Sequence, residues 1–162
     1  MVALKTLLFT IAVPGTVTIL IPGLLLGWGS APGVVEIGAL QWLGLVPFLV
    51  GAGFYLRCAW DFVVAGRGTP APIDAPKHLV VRGLYRLVRN PMYVGVLLCV
   101  GGEAILFGSA RLLLYAALLF LCFHTFITAY EEPTLRRLFG ASYEQYCAAV
   151  PRWVPRRLGI SN

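Results

Sequence analysis

Of the 162 residues, 59% are hydrophobic and only 12% are charged. A soluble globular domain carries ~25% charged residues, so the composition excludes one and indicates an integral membrane protein built as a single domain. The net charge of +6 does not indicate nucleic acid, because the basic residues are clustered. Arg57, Arg67, Lys77, Arg82, Arg86 and Arg89 flank one gap between apolar runs, and Arg136, Arg137, Arg152, Arg156 and Arg157 follow the last run. That distribution is the positive-inside pattern of a multi-pass membrane protein. Cys58, Cys99, Cys122 and Cys147 show neither a Cys-x-x-Cys pair nor metal-ligand spacing, so no disulfide framework and no metal site are expected.

The apolar periodicity predicts an all-α protein with about four transmembrane helices over 6–27, 37–56, 91–109 and 112–129, joined by a cytosolic-side loop at 61–90 and followed by a cytosolic-side tail at 130–162. The first run is too long for a cleaved signal and reads as a retained span. Pro14 and Pro22 interrupt its hydrogen bonding, which neighbouring helices or Thr10 and Thr18 must help to repair. The loop 29–36 has no Lys or Arg and is expected outside, and four crossings then put both termini in the cytosol. Gly66 to Pro76 has too many Gly and Pro residues for a helix, whereas the alternation from Lys77 to Gly83 favours an extended backbone. Such a backbone could bind a small polar ligand or lie against lipid head groups.

Asn90-Pro91 reads as N-cap and first helical residue of the third span. With Arg89 beside it, that corner suits an anionic group as well as simple capping. The turn Gly108-Ser109-Ala110-Arg111 makes the third and fourth spans an antiparallel hairpin, with Gly101 and Gly102 expected to let its helices approach closely. Glu103, an intramembrane carboxylate, is read as a protonated or hydrogen-bonded structural residue near the outer interface. His124, Thr128 and Glu131 share one face of the fourth helix. The hairpin register brings Glu131 toward the Arg89-Asn90-Pro91 corner, either as an ion-pair partner or as part of a binding site. Beyond it an amphipathic helix should stop at Gly140, and Ser142 to Gln145 should start a short helix carrying Tyr143 and Tyr146. The Arg152-Trp153-Val154-Pro155-Arg156-Arg157 segment reads as an interfacial anchor.

Two motifs are then recognisable: Leu79-Val80-x-x-Gly83-x-Tyr85-x-x-x-Arg89-Asn90-Pro91-x-Tyr93-x-Gly95, and Glu131-Glu132-x-x-Leu135-x-x-x-Phe139-Gly140-x-x-Tyr143-x-x-Tyr146-x-x-x-Val150-Pro151. Together they resemble the isoprenylcysteine carboxyl methyltransferase and phospholipid methyltransferase superfamily, over roughly the carboxyl-terminal half. The resemblance implies an S-adenosyl-L-methionine-dependent membrane methyltransferase without a metal. It implies cofactor contacts from Lys77, His78, Leu79, Val80, Tyr85, Arg89, Asn90, Pro91, Met92, Tyr93 and Glu131, and no dedicated catalytic residue is assigned. His124, Ile127 and Thr128 are candidate substrate contacts. Relatives often carry His at the position of Asn90, and the prenylcysteine enzymes carry Arg at that of Ile127, so a lipid amine, a small thiol or another lipophilic acceptor remains open beside a carboxylate. The expected partners are membrane lipids and the acceptor, with neither nucleic acid nor an obligate protein partner. A sterol-reductase-type enzyme using a nicotinamide cofactor and a non-catalytic membrane adaptor are the alternatives.

Overall fold

A computed structural model describes residues 8–27, 38–65, 79 and 81–155. The loops 29–36 and 66–76, the residues Lys77, His78 and Val80, and the basic end at Arg156-Arg157 lie outside the described residues. Every regular element among the described residues is helical. Helix α1 spans Leu8–Leu25. A 3-10 turn at Ala39–Gly44 leads into α2, Leu45–Ala65. A short 3-10 turn at Gly83–Arg86 precedes α3, Pro91–Leu106. Helix α4, Ala110–Phe126, continues through a π turn at Ile127–Glu131 into α5, Glu132–Phe139, and α6 covers Ala141–Ala149.

Three stretches, Leu8–Leu25, Ala39–Asp61 and Ala110–Phe139, are long and apolar enough to cross a bilayer. The expectation of four full spans is corrected at α3. Its 16 residues reach about 24 Å at 1.5 Å per residue, short of ~30 Å of hydrocarbon. Pro91 opens it and the turn at Gly108, with φ of +55°, closes it. Half of α3 is buried, Gly95, Val96, Cys99 and Val100 among these residues, so it is enclosed by protein and need not match the lipid thickness. Helix α2 conversely runs past its expected end at Leu56, because no Gly or Pro interrupts Arg57–Ala65 and Arg57 pairs with Asp61 one turn on at 3.4 Å.

Two glycine pairs set the approach of α2 to α3. A Cβ on Gly95 would lie 2.8 Å from the Gly51 carbonyl oxygen, and one on Gly102 would lie 2.6 Å from that of Gly44. The glycines are seven residues apart in each segment, Gly44 ending the 3-10 turn that leads into α2, and pair in antiparallel register, so the two backbones touch twice along one stripe. Close backbone contact of this kind supplies packing where lipid offers no hydrophobic driving force between helices. Gly102 therefore serves the α2 interface and not the α3–α4 hairpin for which its sequence position suggested it, while a Cβ on Gly101 would meet nothing within 4 Å. The hairpin turn itself is capped by Ser109, whose hydroxyl accepts from the Leu112 amide at 3.4 Å.

Prolines shape the two long helices in the same way. Pro22 has no N–H to give Thr18, and the turn before it widens to a π turn, Thr16–Leu20, in which the Ile21 amide bonds to the Thr16 carbonyl. The Val17 carbonyl so released accepts from the Tyr115 hydroxyl of α4 at 3.1 Å, and Thr18 donates to the Pro14 carbonyl at 2.8 Å. Neighbouring-helix and threonine donors thus restore what proline removes. The second π turn, Ile127–Glu131, likewise precedes Pro133, with the Glu132 amide reaching the Ile127 carbonyl. Thr128 donates to the His124 carbonyl at 2.8 Å. A π turn adds a residue to the helical turn, which turns both Glu131 and Glu132 toward the start of α3.

The tail folds back as α5 and α6, broken at Gly140 with φ of +50°. Tyr143, Tyr146 and Val150 form a buried cluster covered by Leu79, Leu135, Phe139 and Cys147. The Tyr146 hydroxyl donates to the Tyr85 carbonyl at 2.7 Å, so the tail is fastened to the turn before α3.

Two outcomes follow from this architecture. Gly51→Leu or Gly95→Leu forces α2 from α3 and should destabilise by at least about 1–3 kcal/mol, whereas Gly101→Leu should be tolerated; thermal unfolding in detergent followed by circular dichroism compares them. Burial pushes the phenols of Tyr143 and Tyr146 above the ordinary tyrosine value. A raised folded-state value means stability that is present below about pH 10 and lost as pH rises above it, because only the unfolded chain releases those protons. The unfolding midpoint should therefore hold from neutrality to about pH 9 and fall above ~10, less steeply in Tyr146→Phe.

Candidate functional site

The start of α3, the π turn at Ile127–Glu131 and the residues after α6 converge on one corner. Asn90 and Pro91 occupy the first positions of α3 as the sequence suggests, but the Asn90 side chain does not cap the helix. With φ of −121° and ψ of 53° the buried side chain turns away from the helix end, and its Nδ2 donates to the Arg152 carbonyl at 3.3 Å. Its backbone carbonyl still accepts from the Val94 amide at 3.1 Å. The Arg89 amide donates to the Pro151 carbonyl at 2.8 Å, so two adjacent residues of the corner hold the returning tail.

Glu132, not Glu131, is the carboxylate that meets Arg89. It is only 4% exposed, lies 3.1 Å from the Arg89 Nη1, and accepts from Arg152 at both oxygens, at 2.8 and 2.9 Å. Arg136 approaches it at 3.9 Å and also donates to Glu144 at 2.8 Å. Its hydrogen bonds to Glu132 hold the Arg152 guanidinium above its ordinary value. A bidentate guanidinium–carboxylate pair of this kind is directional and strong. Arg89 also donates to the Cys147 sulfur at 2.7 Å, while its Nε is buried with no hydrogen-bond partner among the described residues.

Sequence reasoning missed Glu132 and Arg152 as a pair. Glu131-Glu132-Pro133 contains two candidate carboxylates, and the proline after them was the available sign that the helix would widen and turn both inward. The sequence reads Arg152 and Trp153 as part of an interfacial anchor; in the structure Arg152 points to Glu132 instead, and the Trp153 ring lies 5.1 Å from Phe120. The Trp153 indole N–H donates to His124 Nδ1 at 3.3 Å.

Glu131 has a different environment. Tyr93 donates to its Oε2 at 2.9 Å, Tyr93 packs edge-on against Phe123 with ring centroids 4.8 Å apart, and among the described residues Glu131 forms no ion pair. Tyr85 lies nearby, hydrogen-bonded to Cys58; burial, together with Cys58, Glu131 and Tyr146, pushes its phenol well above the ordinary value and keeps it neutral. Met92 is half-buried between these groups in the chain. Leu79 packs on the Tyr143–Tyr146 cluster. Beside the turn, Asp61 Oδ2 is buried without a partner among the described residues, and a Cβ on Gly83 would lie 2.7 Å from it; with φ of +52°, that position favours glycine twice over.

Of the residues proposed from sequence, Tyr85, Arg89, Asn90, Pro91, Met92, Tyr93 and Glu131 thus border one corner, and Leu79 stands behind it. Ile127 is 1% exposed and one turn before Glu131. His124 and Thr128 spend their Nδ1 and hydroxyl on Trp153 and the helix backbone.

The family model for phospholipid methyltransferase matches residues 39–142, from the turn before α2 into α6. The protein-S-isoprenylcysteine O-methyltransferase of Schizosaccharomyces pombe is 41% identical over 108 residues, covering 64% of this chain and 45% of that protein. A probable protein-S-isoprenylcysteine O-methyltransferase of Oryza sativa subsp. indica is 30% identical over 129 residues, 76% of this chain and 65% of its own length. Protein-S-isoprenylcysteine O-methyltransferase A of Arabidopsis thaliana is 32% identical over 129 residues, 76% of this chain and 64% of its own. The chain therefore spans about half to two thirds of the length of these relatives. No solved structure matches it. The matched stretch holds both the corner at the start of α3 and the Glu131–Glu132 pair, and on that match the chain belongs to the phospholipid methyltransferase family.

Proposed function

We propose that the protein is an integral membrane methyltransferase that uses S-adenosyl-L-methionine to methylate a lipophilic acceptor reaching it from the bilayer. Glu131 carries this reading. It is a carboxylate held by Tyr93 and without an ion-pair partner among the described residues, one residue from Glu132, which collects three guanidiniums. A carboxylate left without a cation at a partly enclosed corner suits an ammonium group or ribose hydroxyls.

The residues present fit that cofactor. The unpartnered Arg89 Nε and the amino-terminal end of α3 at Asn90-Pro91-Met92 suit its carboxylate. The faces of Tyr85 and Tyr93 suit a sulfonium cation. Lys77, His78, Leu79 and Val80 are further cofactor contacts in this reading, on the family resemblance. When bound, the cofactor supplies a methyl group already activated for in-line displacement. The chain's own contribution is to fix the cofactor's charged groups, keep the neutral Tyr85 phenol and the Tyr93 ring against it, and exclude water from the reacting pair. No side chain is required as a nucleophile, and none is assigned as a base.

The relatives' names refer to O-methylation of protein S-isoprenylcysteine, and the resemblance implies a carboxylate as the acceptor there. In this chain the buried Ile127 offers no charge to hold a carboxylate one turn before Glu131, which favours a lipid amine or thiol as the acceptor. His124 and Thr128 shape the wall beside it. By the distribution of Lys and Arg the corner faces the cytosol, as do both termini.

Isothermal titration of S-adenosyl-L-methionine into the purified protein in detergent should show binding, weakened at least tenfold by Glu131→Ala; a wild-type protein that binds neither this cofactor nor its demethylated product overturns the reading. Glu132→Gln tests the neighbouring carboxylate by a different readout. It leaves Arg89 and Arg152 without their counter-charge and should lower stability by about 3–5 kcal/mol, whereas Glu131→Gln should change the unfolding midpoint little. Incubating the protein with radiolabelled cofactor and extracted membrane lipids, and identifying the labelled product, establishes the acceptor.

A further inference from the structure

A second polar feature lies at the other end of α3. Glu103 is twelve residues beyond Pro91, about 18 Å along the helix, and is separate from the corner described above. It is 9% exposed, and its Oε2 is buried with no hydrogen-bond partner among the described residues. Glu103 lines a cavity of about 190 Å³ between α1, α2 and α3, whose other walls include Thr18, Pro22, Leu45, Phe48 and Phe107. Ile19, also on its wall, is 59% exposed, so the cavity is reached from the apolar outer surface.

Among the described residues, the hydroxyl and thiol donors of Thr18, Tyr115 and Cys99 near Glu103 are already committed. The Thr18 hydroxyl donates to the Pro14 carbonyl, the Tyr115 hydroxyl to the Val17 carbonyl and the Cys99 thiol to the Phe48 carbonyl. All three serve backbone groups, two of them on the proline-widened α1. A buried carboxyl oxygen without a donor is unfavourable in apolar surroundings. A single water is a poor remedy, because it needs two to four polar partners and the walls are almost wholly apolar. The space exceeds the ~150 Å³ cavity known to hold benzene, so it can take one ring or a short alkyl chain.

We propose that the Glu103 cavity is a second ligand site, taking a small lipophilic amine whose protonated nitrogen donates to the Glu103 carboxylate while its hydrocarbon part lies against Leu45, Phe48 and Phe107. The amine supplies both the missing donor and the counter-charge, and its apolar body matches the walls. The site is independent of methyl transfer at the Glu131 corner and does not rest on that assignment.

Benzylamine is the probe, with benzyl alcohol as its neutral analogue, titrated calorimetrically into the full chain in phosphatidylcholine nanodiscs against empty nanodiscs. Benzylamine should bind the wild type saturably at one site, at least tenfold more tightly than it binds Glu103→Gln and at least tenfold more tightly than benzyl alcohol binds. Leu45→Phe, which narrows the cavity and keeps the carboxyl, should weaken it as well, and Glu131→Ala should leave it unchanged. Equal binding to wild type and Glu103→Gln, an alcohol that binds as tightly as the amine, loss on Glu131→Ala, or no saturable binding would each overturn the proposal. Should Glu103→Gln fail to fold, the amine-to-alcohol ratio and Leu45→Phe decide alone.

Discussion

The buried carboxylate of Glu132 organises the end of the molecule where the candidate site lies. Arg89 comes from the residue before the Asn90 corner, Arg152 from the tail after α6, and Arg136 from the next turn of α5; all three reach the same carboxyl group. Taking such charges out of water is unfavourable unless geometry and hydrogen bonding are nearly complete. The bidentate Arg152 contact and the adjoining bonds from the Arg89 amide to Pro151 and from Asn90 to Arg152 meet that condition. Because these partners come from separate parts of the chain, the carboxylate fixes where the tail lies, and the tail in turn closes over Tyr85 through Tyr146.

Among the described residues Glu131 has no cation, because Glu132 takes the arginines. Adjacent residues in a regular helix point about 100° apart, and the π turn that ends at Glu131 changes which directions are available. Among the described residues one carboxylate is thereby satisfied by arginines and the other by the Tyr93 hydroxyl. That difference gives two neighbouring residues of the same type distinct surroundings.

Both wide turns arise from proline in an apolar helix. At Pro22 the carbonyl released is met by Tyr115 from another helix, and at Pro133 the wide turn aims functional groups. The short α3 is possible for a related reason. It is held on one side by the Gly44–Gly102 and Gly51–Gly95 contacts and does not depend on lipid for its packing. Its two ends then differ in character: a charged, hydrogen-bonded corner at Asn90-Pro91 and an apolar cavity around the single carboxyl of Glu103.

The sequence by itself determined the class of the molecule. Apolar length gave the membrane helices, Gly108 and Ser109 gave the hairpin turn, Gly140 gave the break between α5 and α6, and the two separated motifs indicated the family to which the chain belongs. Each of these is local, since helix period, turn residues and motif spacing act through near neighbours. Only the tertiary structure decided the partners. It paired Arg89 with Glu132 and left Tyr93 to Glu131, turned Gly102 toward α2, brought Trp153 back onto His124, and limited α3 to a short enclosed helix. Those outcomes depend on helix rotation and on contacts between residues 20 to 62 apart, where a one-residue change from a π turn redirects a side chain: Pro133 signals the wide turn, but local preference does not say which partner each side chain then meets.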